Sequence, residues 1–136
     1  MRKLISTALM IAVLVTALIN LSSCEKDAGK LPNIAFKTTA GYTHADATVA
    51  SGTPVLAGIT ASKAESADVL KTFNVSKSID GAAAVSVTNT TLTNGDSYDV
   101  DYPIVAGAAG HTEKWSFTVT NRDGLTNTVS FTLTLN

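Results

Sequence analysis

The stretch EKWSFTVTNRDGLTNTVSFTLTL, residues 113–135, decides how the rest of the chain is read. Trp115, Phe117 and Val119 alternate with Ser116, Thr118 and Thr120. Val129, Phe131, Leu133 and Leu135 alternate with Thr128, Ser130, Thr132 and Thr134. A period of two places each apolar set on one side of a strand and each hydroxyl set on the other. Asn121-Arg122-Asp123-Gly124 joins the two runs as a hairpin, with Gly124 placed where a positive φ is needed. One apolar face and one wet face are the signature of an antiparallel sheet covered on one side.

The same period runs upstream. Ile34 and Phe36 share a face and predict a short first strand. Ala45 to Val49 predicts a weak edge strand, closed by Ser51-Gly52-Thr53-Pro54. Val55, Ala57, Ile59 and Ala61 predict a central strand. Ala64 to Asp68 suits one helical turn. Val69, Lys71, Phe73, Val75, Lys77 and Ile79 then alternate with polar residues, the two lysines marking strand ends where a long stem lies on apolar surface. Asp80-Gly81 is a hairpin signal. Val85 and Val87 give a short strand, and Asn94-Gly95-Asp96 a tight turn. Tyr98, Val100, Tyr102 and Ile104 face one way, Asp99 and Asp101 the other, and Pro103 argues for an edge or a bulge. Residues 107–111, GAAGH, read as a loop.

About seven strands with regular turns predict an all-β antiparallel sandwich over residues 34–136. An up-and-down barrel is the structural alternative. The expected core is Ile34, Phe36, Val55, Ile59, Phe73, Val75, Tyr98, Val100, Trp115, Phe117, Val119, Phe131 and Leu133.

The first 23 residues have a different chemistry. Met1-Arg2-Lys3 is basic, and the 18 residues from Leu4 to Leu21 carry no charge. A basic start, an apolar run and small residues after it predict a signal helix that is removed. A retained membrane span is the competing reading. Cys24 is the only cysteine in the chain, so an internal disulfide is impossible. Residues 24–33 read as a polar tether. Without residues 1–23 the chain has 113 residues, with 8 Lys and Arg against 11 Asp and Glu, a net −3. That is one modest, mildly acidic domain, which argues against a nucleic-acid partner.

Leu21-Ser22-Ser23-Cys24 resembles the bacterial lipobox. The resemblance implies cleavage between Ser23 and Cys24 and lipidation of Cys24. Stable anchoring needs two or more acyl chains, which matches the chemistry of that family. An ordinary signal followed by a small free cysteine is the alternative. The charges Glu25-Lys26-Asp27 after the cysteine resemble the export tags of Bacteroidetes-type lipoproteins, which implies an outer-membrane anchor and display at the cell surface. The stretches IAFKTTAGYT (34–43) and 113–135 are similar to the immunoglobulin-like domains of such lipoproteins. There is no cysteine pair, and the Trp falls on the penultimate strand, so packing alone must join the sheets.

Catalytic signals are sparse. His44 and His111 are the only histidines, both in or near predicted loops, and no serine sits in a nucleophile elbow. No enzyme activity and no cofactor are expected. Asp96, Asp99 and Asp101 are a weak calcium candidate, because the ion wants six to eight oxygens and a solvated strand face explains the same residues. Tyr42, in a turn, is the candidate ligand-binding aromatic. Asn74-Val75-Ser76 and Asn89-Thr90-Thr91 match a glycosylation pattern that has no role in a bacterial lipoprotein. The function expected is a non-catalytic, lipid-anchored binding or spacer module of the envelope. Its partners are the membrane, through Cys24, and another envelope protein. A carbohydrate-binding lipoprotein of a nutrient-uptake system, with a glycan as partner, is the alternative.

Overall fold

A computed structural model describes residues 29–136. The signal helix, the cleavage position at Ser23 and the lipidation candidate Cys24 lie outside the described residues. The described part is an all-β sandwich of eight strands: β1 (Asn33–Phe36), β2 (Ala47–Val49), β3 (Pro54–Ser62), β4 (Leu70–Ile79), β5 (Val85–Thr91), β6 (Ser97–Val105), β7 (Thr112–Asn121) and β8 (Thr126–Leu135). One sheet has the order β1-β3-β6 and the other β2-β8-β7-β4-β5. The two separate sheets replace the barrel alternative. The expected weak edge strand is β2. It pairs with β8 in parallel, Ala47 against Leu133, so the sandwich is not wholly antiparallel. Its parallel course follows from the path of the chain. After β1 the chain crosses to the other sheet before turning back into β3.

The hairpin that opened the sequence reading forms as the alternation demands. Trp115 pairs with Phe131 and Phe117 with Val129. Gly124 has φ 81°, and Asp80 and Gly81 have φ 50° and 75°. Two successive positive φ values are those of a type I′ turn, whose twist matches the flanking strands. Pro103 lies on β6, an edge strand of its sheet, where a missing donor is tolerated.

The core lies between the sheets. Val55, Ile59, Phe73, Val75, Trp115, Phe117, Val119, Phe131 and Leu133 are buried, and Ile34, Phe36, Tyr98 and Val100 are half-buried against them. Phe117 is the hub. Its ring lies 5.8 Å from Phe36, 5.9 Å from Tyr102, 6.0 Å from Phe131 and 6.4 Å from Phe73. The Phe36 and Tyr102 contacts are edge-to-face, the arrangement that the ring quadrupole favours. Burying each such ring contributes about 1.5–3 kcal/mol, and the aromatic pairs add to it. This packing takes the place of an inter-sheet disulfide.

Two expectations are corrected. Lys71 does not share the inner face with Phe73. A register irregularity between Leu70 and Thr72 resets the alternation, so Leu70 is buried and Lys71 exposed. Residues 64–68 form no helix. They make one turn, closed by the Asp68 amide donating to the Glu65 carbonyl at 3.1 Å. A five-residue segment between two strands is too short to propagate a helix that must first nucleate.

The two ends of the sandwich differ. At one end the entering chain is tied to the β7–β8 hairpin: Asn121 Nδ2 donates to the Lys30 carbonyl at 3.3 Å, and Asn127 Nδ2 to the Pro32 carbonyl at 2.9 Å. The β3–β4 and β5–β6 connections lie at this entry end, joined by Lys63 N donating to the Asp96 carbonyl. At the opposite, far end are residues 50–53, the β4–β5 turn, the 106–111 loop and Asn136. Ser51 N donates to the Asn136 carbonyl there, and Asp80 N to the Thr112 carbonyl.

Candidate functional site

The outer face of β1-β3-β6 carries a polar cluster. Lys37 follows β1 on its outward side, and its amide donates to the Gly58 carbonyl at 2.8 Å. Asp99 and Asp101 project outward from β6, with Asp101 opposite Gly58 and Asp99 opposite Thr60 on β3. Lys37 Nζ donates to Asp99 Oδ1 at 2.5 Å and to Asp101 Oδ1 at 2.6 Å. Tyr42 closes the group from the following turn: its hydroxyl donates to Asp101 Oδ2 at 3.0 Å, and Lys37 Nζ sits 5.4 Å from its ring centroid.

Gly58 explains why this group assembles. It lies mid-strand, where glycine weakens a sheet unless something approaches closely. A Cβ there would meet Lys37 Cδ and Tyr42 Cδ1 at 2.7 Å and Lys37 Cβ at 2.8 Å. The missing side chain is the seat for the Lys37 stem and the Tyr42 ring. The electrostatics follow. The hydrogen bonds to Asp101 and then Asp99 hold the Lys37 ammonium well above its ordinary range. Lys37, and after it Tyr42, hold the Asp101 carboxyl below the ordinary 3.8. Donation to Asp101 pushes the Tyr42 phenol up. The cluster therefore sets one ammonium between two aspartates, with a bound proton on Lys37 and on Tyr42 across the neutral range. It offers donors and acceptors in set positions.

The three carboxylates grouped from the sequence do not converge. Asp99 and Asp101 share Lys37, whereas Asp96 lies at the entry end on Lys63 Nζ at 2.6 Å. Among the described residues no group of three or more His, Cys, Asp or Glu side chains is placed to hold a metal ion. The histidines are apart as well. His44 Nδ1 lies 3.3 Å from the Tyr42 carbonyl. His111 Nδ1 is 2.6 Å from Asp80 Oδ2 at the far end, and Asp80 Oδ1 accepts from the Thr112 amide at 2.8 Å. These bonds, His111 first, lower the Asp80 pKa.

Two further groups went unnoticed in the sequence. Glu113 is 2 % exposed and points inward between the sheets. Its Oε1 accepts from Lys77 Nζ at 3.2 Å and its Oε2 from Trp115 Nε1 at 3.1 Å. Lys77 Nζ also stands 5.2 Å from the Trp115 ring centroid. A buried carboxylate is costly unless paired and hydrogen-bonded, and both conditions are met. At the other end Asp68 and Asn121 are 3 % and 2 % exposed. Asn121 Nδ2 donates to Asp68 Oδ2 at 2.7 Å, while Asn121 Oδ1 accepts from the amides of Asp123 and Leu125. This pair staples the β7–β8 turn to the chain entering β4.

The signals for these groups were present. Glu113 is in phase with Trp115 and Phe117, so the alternation itself put a carboxylate inside. Gly58 interrupts a strand of otherwise apolar and hydroxyl residues. Lys37 is out of phase with Ile34 and Phe36, hence outward. What the sequence lacked was the pairing of β6 with β3, which carries the two aspartates to Lys37.

No protein-family model matches this sequence, and no curated protein matches it significantly. Solved structures share the fold at low identity. Two structures of the superoxide reductase (neelaredoxin) from Ignicoccus hospitalis are similar at 11 % identity. The first has a TM-score of 0.54 over 84 % of this chain and 87 % of that one. The second has a TM-score of 0.50 over 79 % and 81 %. The sporulation control protein Spo0M from Bacillus subtilis is similar at 8 % identity and a TM-score of 0.49, over 78 % of this chain and 49 % of that one. At such identities the likeness to the superoxide reductase is one of fold alone: a β-sandwich of two sheets.

Proposed function

We propose that this protein is a non-catalytic, lipid-anchored module of the bacterial outer membrane, displayed at the cell surface and serving as an accessory binding or spacer subunit. The observation that carries the reading is the lone cysteine in Leu21-Ser22-Ser23-Cys24, six residue steps before Lys30, where the chain is tied to the sandwich. Six extended steps reach at most about 22 Å. An acylated Cys24 would therefore hold the entry end close to the bilayer. Strands of nine or ten residues then carry the far end roughly 30 Å away from it. The domain we infer is immunoglobulin-like. Its order β1-β3-β6 against β8-β7-β4-β5 supports this, corresponding to strands A-B-E and G-F-C-C′ of that fold.

Metabolic labelling with an acyl-chain precursor tests the anchor. Cys24→Ala should lose the label and leave the membrane fraction. A variant that stays labelled and membrane-bound would sink the reading.

The polar cluster favours a second reading, a carbohydrate-binding lipoprotein. Tyr42, Lys37, Asp99 and Asp101 present a phenol, an ammonium and two carboxylates side by side on one sheet face. Fixed acceptors and donors beside an aromatic ring suit a polyhydroxylated ligand. On a glycan panel, binding by the wild type and its loss in Tyr42→Ala would support this reading. A panel with no binding would remove it.

A further inference from the structure

We propose that Asn94-Gly95 is a self-modification site, where the folded chain converts Asn94 to an isoaspartyl linkage in water without an enzyme, and that the new linkage loosens the crossing between the two sheets. The inference is independent of the lipid-anchored reading, because it uses only the connection from β5 to β6 and its partners.

Asn94-Gly95 is the only step in the chain where Asn precedes Gly. The reaction is attack by the Gly95 backbone nitrogen on the side-chain carbonyl carbon of Asn94. Asn94 is exposed, so water and hydroxide reach it, and glycine has no Cβ to block the approach. The Asp96 amide donates to Asn94 Oδ1 at 3.2 Å. A bond from a side chain to the amide two positions on folds that side chain over the intervening peptide, here the one that holds the Gly95 nitrogen. The same donor sits on the oxygen where negative charge develops during attack, as in an oxyanion hole. The backbone on either side is held in place. Leu92 N donates to the Lys71 carbonyl at 2.8 Å, Leu70 N to the Gly95 carbonyl at 2.7 Å and Lys63 N to the Asp96 carbonyl at 3.0 Å. Among the described residues the Gly95 amide itself donates to no acceptor, so losing its proton breaks no bond.

Packing requires the glycine. A Cβ at position 95 would lie 2.6 Å from Val69 Cβ and 3.0 Å from Val69 Cγ1, atoms of a stiff β-branched side chain that cannot swing aside. The residue that eases the attack is therefore the one the fold demands. Other asparagines of the domain lack this combination. Asn33, Asn74, Asn89 and Asn127 precede Ile, Val, Thr and Thr, whose branched side chains hinder approach, and Asn121 is buried on Asp68. The step balances with water alone. Hydroxide removes the Gly95 amide proton, and the nitrogen bonds to Asn94 Cγ. The Cγ–Nδ2 bond breaks, and ammonia leaves with a proton from water, giving a five-membered succinimide. Water then opens the ring. Opening at the side-chain carbonyl gives aspartate. Opening at the main-chain carbonyl gives isoaspartate, with the chain running through Cβ and Cγ. That route adds one carbon to the main chain and a carboxylate beside Asp96, between the ties from Leu70 and Lys63.

The test holds the full chain, purified from its native cells, folded at physiological temperature and neutral pH, and samples it over weeks by peptide mapping. The expected result is a gain of about 1 Da confined to the peptide with Asn94, split into aspartyl and isoaspartyl products of equal mass. The rate should rise about tenfold per pH unit near neutrality, because only the deprotonated amide attacks. Tm should fall by roughly 4–8 °C as isoaspartate accumulates and about one backbone hydrogen bond is lost. Asn94→Ser, whose hydroxyl can still accept from Asp96 but cannot form the imide, should keep its Tm over the same period. An intact Asn94, aspartate without isoaspartate, or an earlier gain at another asparagine would overturn the site. Isoaspartate at an unchanged Tm, or an equal drift in Asn94→Ser, would overturn the loosening.

Discussion

Gly58→Ala is the sharpest perturbation of the polar cluster. The new Cβ would lie 2.7 Å from Lys37 Cδ, 2.7 Å from Tyr42 Cδ1 and 2.8 Å from Lys37 Cβ. A flexible stem can move Cδ aside. It cannot easily move Cβ, which the Lys37 amide holds through its bond to the Gly58 carbonyl. The variant must therefore shift a backbone segment, or swing both Lys37 and Tyr42 away from Asp101. Overpacking of this kind costs about 1–3 kcal/mol. Alanine returns about 0.4–1 kcal/mol by restricting the unfolded chain. The net expectation is a loss of roughly 1–2 kcal/mol, a fall in Tm of about 4–12 °C for a domain of this size. Thermal unfolding by circular dichroism reads it. Adding Lys37→Ala to Gly58→Ala removes the Lys37 Cδ contact and keeps the Cβ contact, so Gly58→Ala should cost less, though not nothing, in the Lys37→Ala background than in the wild type. A Gly58→Ala protein that melts with the wild type, or a cost unchanged by Lys37→Ala, would refute glycine as the seat of the cluster.

Other expectations follow from the same structure. Trp115→Ala should lose about 3–5 kcal/mol in chemical denaturation, because it empties a core site and leaves Glu113 short of a donor; a fully stable variant would place the ring outside the core. Asn121→Ala should cost about 2–3 kcal/mol, since it leaves buried Asp68 and two turn amides short of partners; unchanged exchange protection of the β7–β8 turn amides would contradict it. The contribution of Asp101 depends on pH in a defined direction. Its pKa is lowered on folding, so its stabilisation is present above the ordinary 3.8 and fades as pH falls through the lower folded value. The stability gap between wild type and Asp101→Asn should thus be constant near neutrality and close in acid; a gap that widens in acid would reverse the assignment.

Much of the sandwich was legible because its strands obey one rule. Wherever a period-two run was unbroken, as in β7 and β8, face, register and turn could all be read. The misreadings occur where the period slips. At Leu70 a register irregularity turned Lys71 outward, and residues 64–68 suited helix composition but had no length to propagate one. The parallel pairing of β2 was illegible, since three residues carry no mark of direction. The polar cluster was half legible. Tyr42 and the two β6 aspartates were noticed as separate features, and Lys37, which binds them together, was not. Local patterns fix the face of a side chain. They are silent on which strand comes to lie beside it, and the cluster depends on that.

The most direct test is the intact mass of the protein purified from its native membranes. The lipid-anchored reading predicts a chain that begins at Cys24 and carries at least two acyl chains, with the added mass confined to its N-terminal peptide. A chain that begins elsewhere, or one with an unmodified Cys24 thiol, would contradict it, and the orientation of the far end would lose its basis.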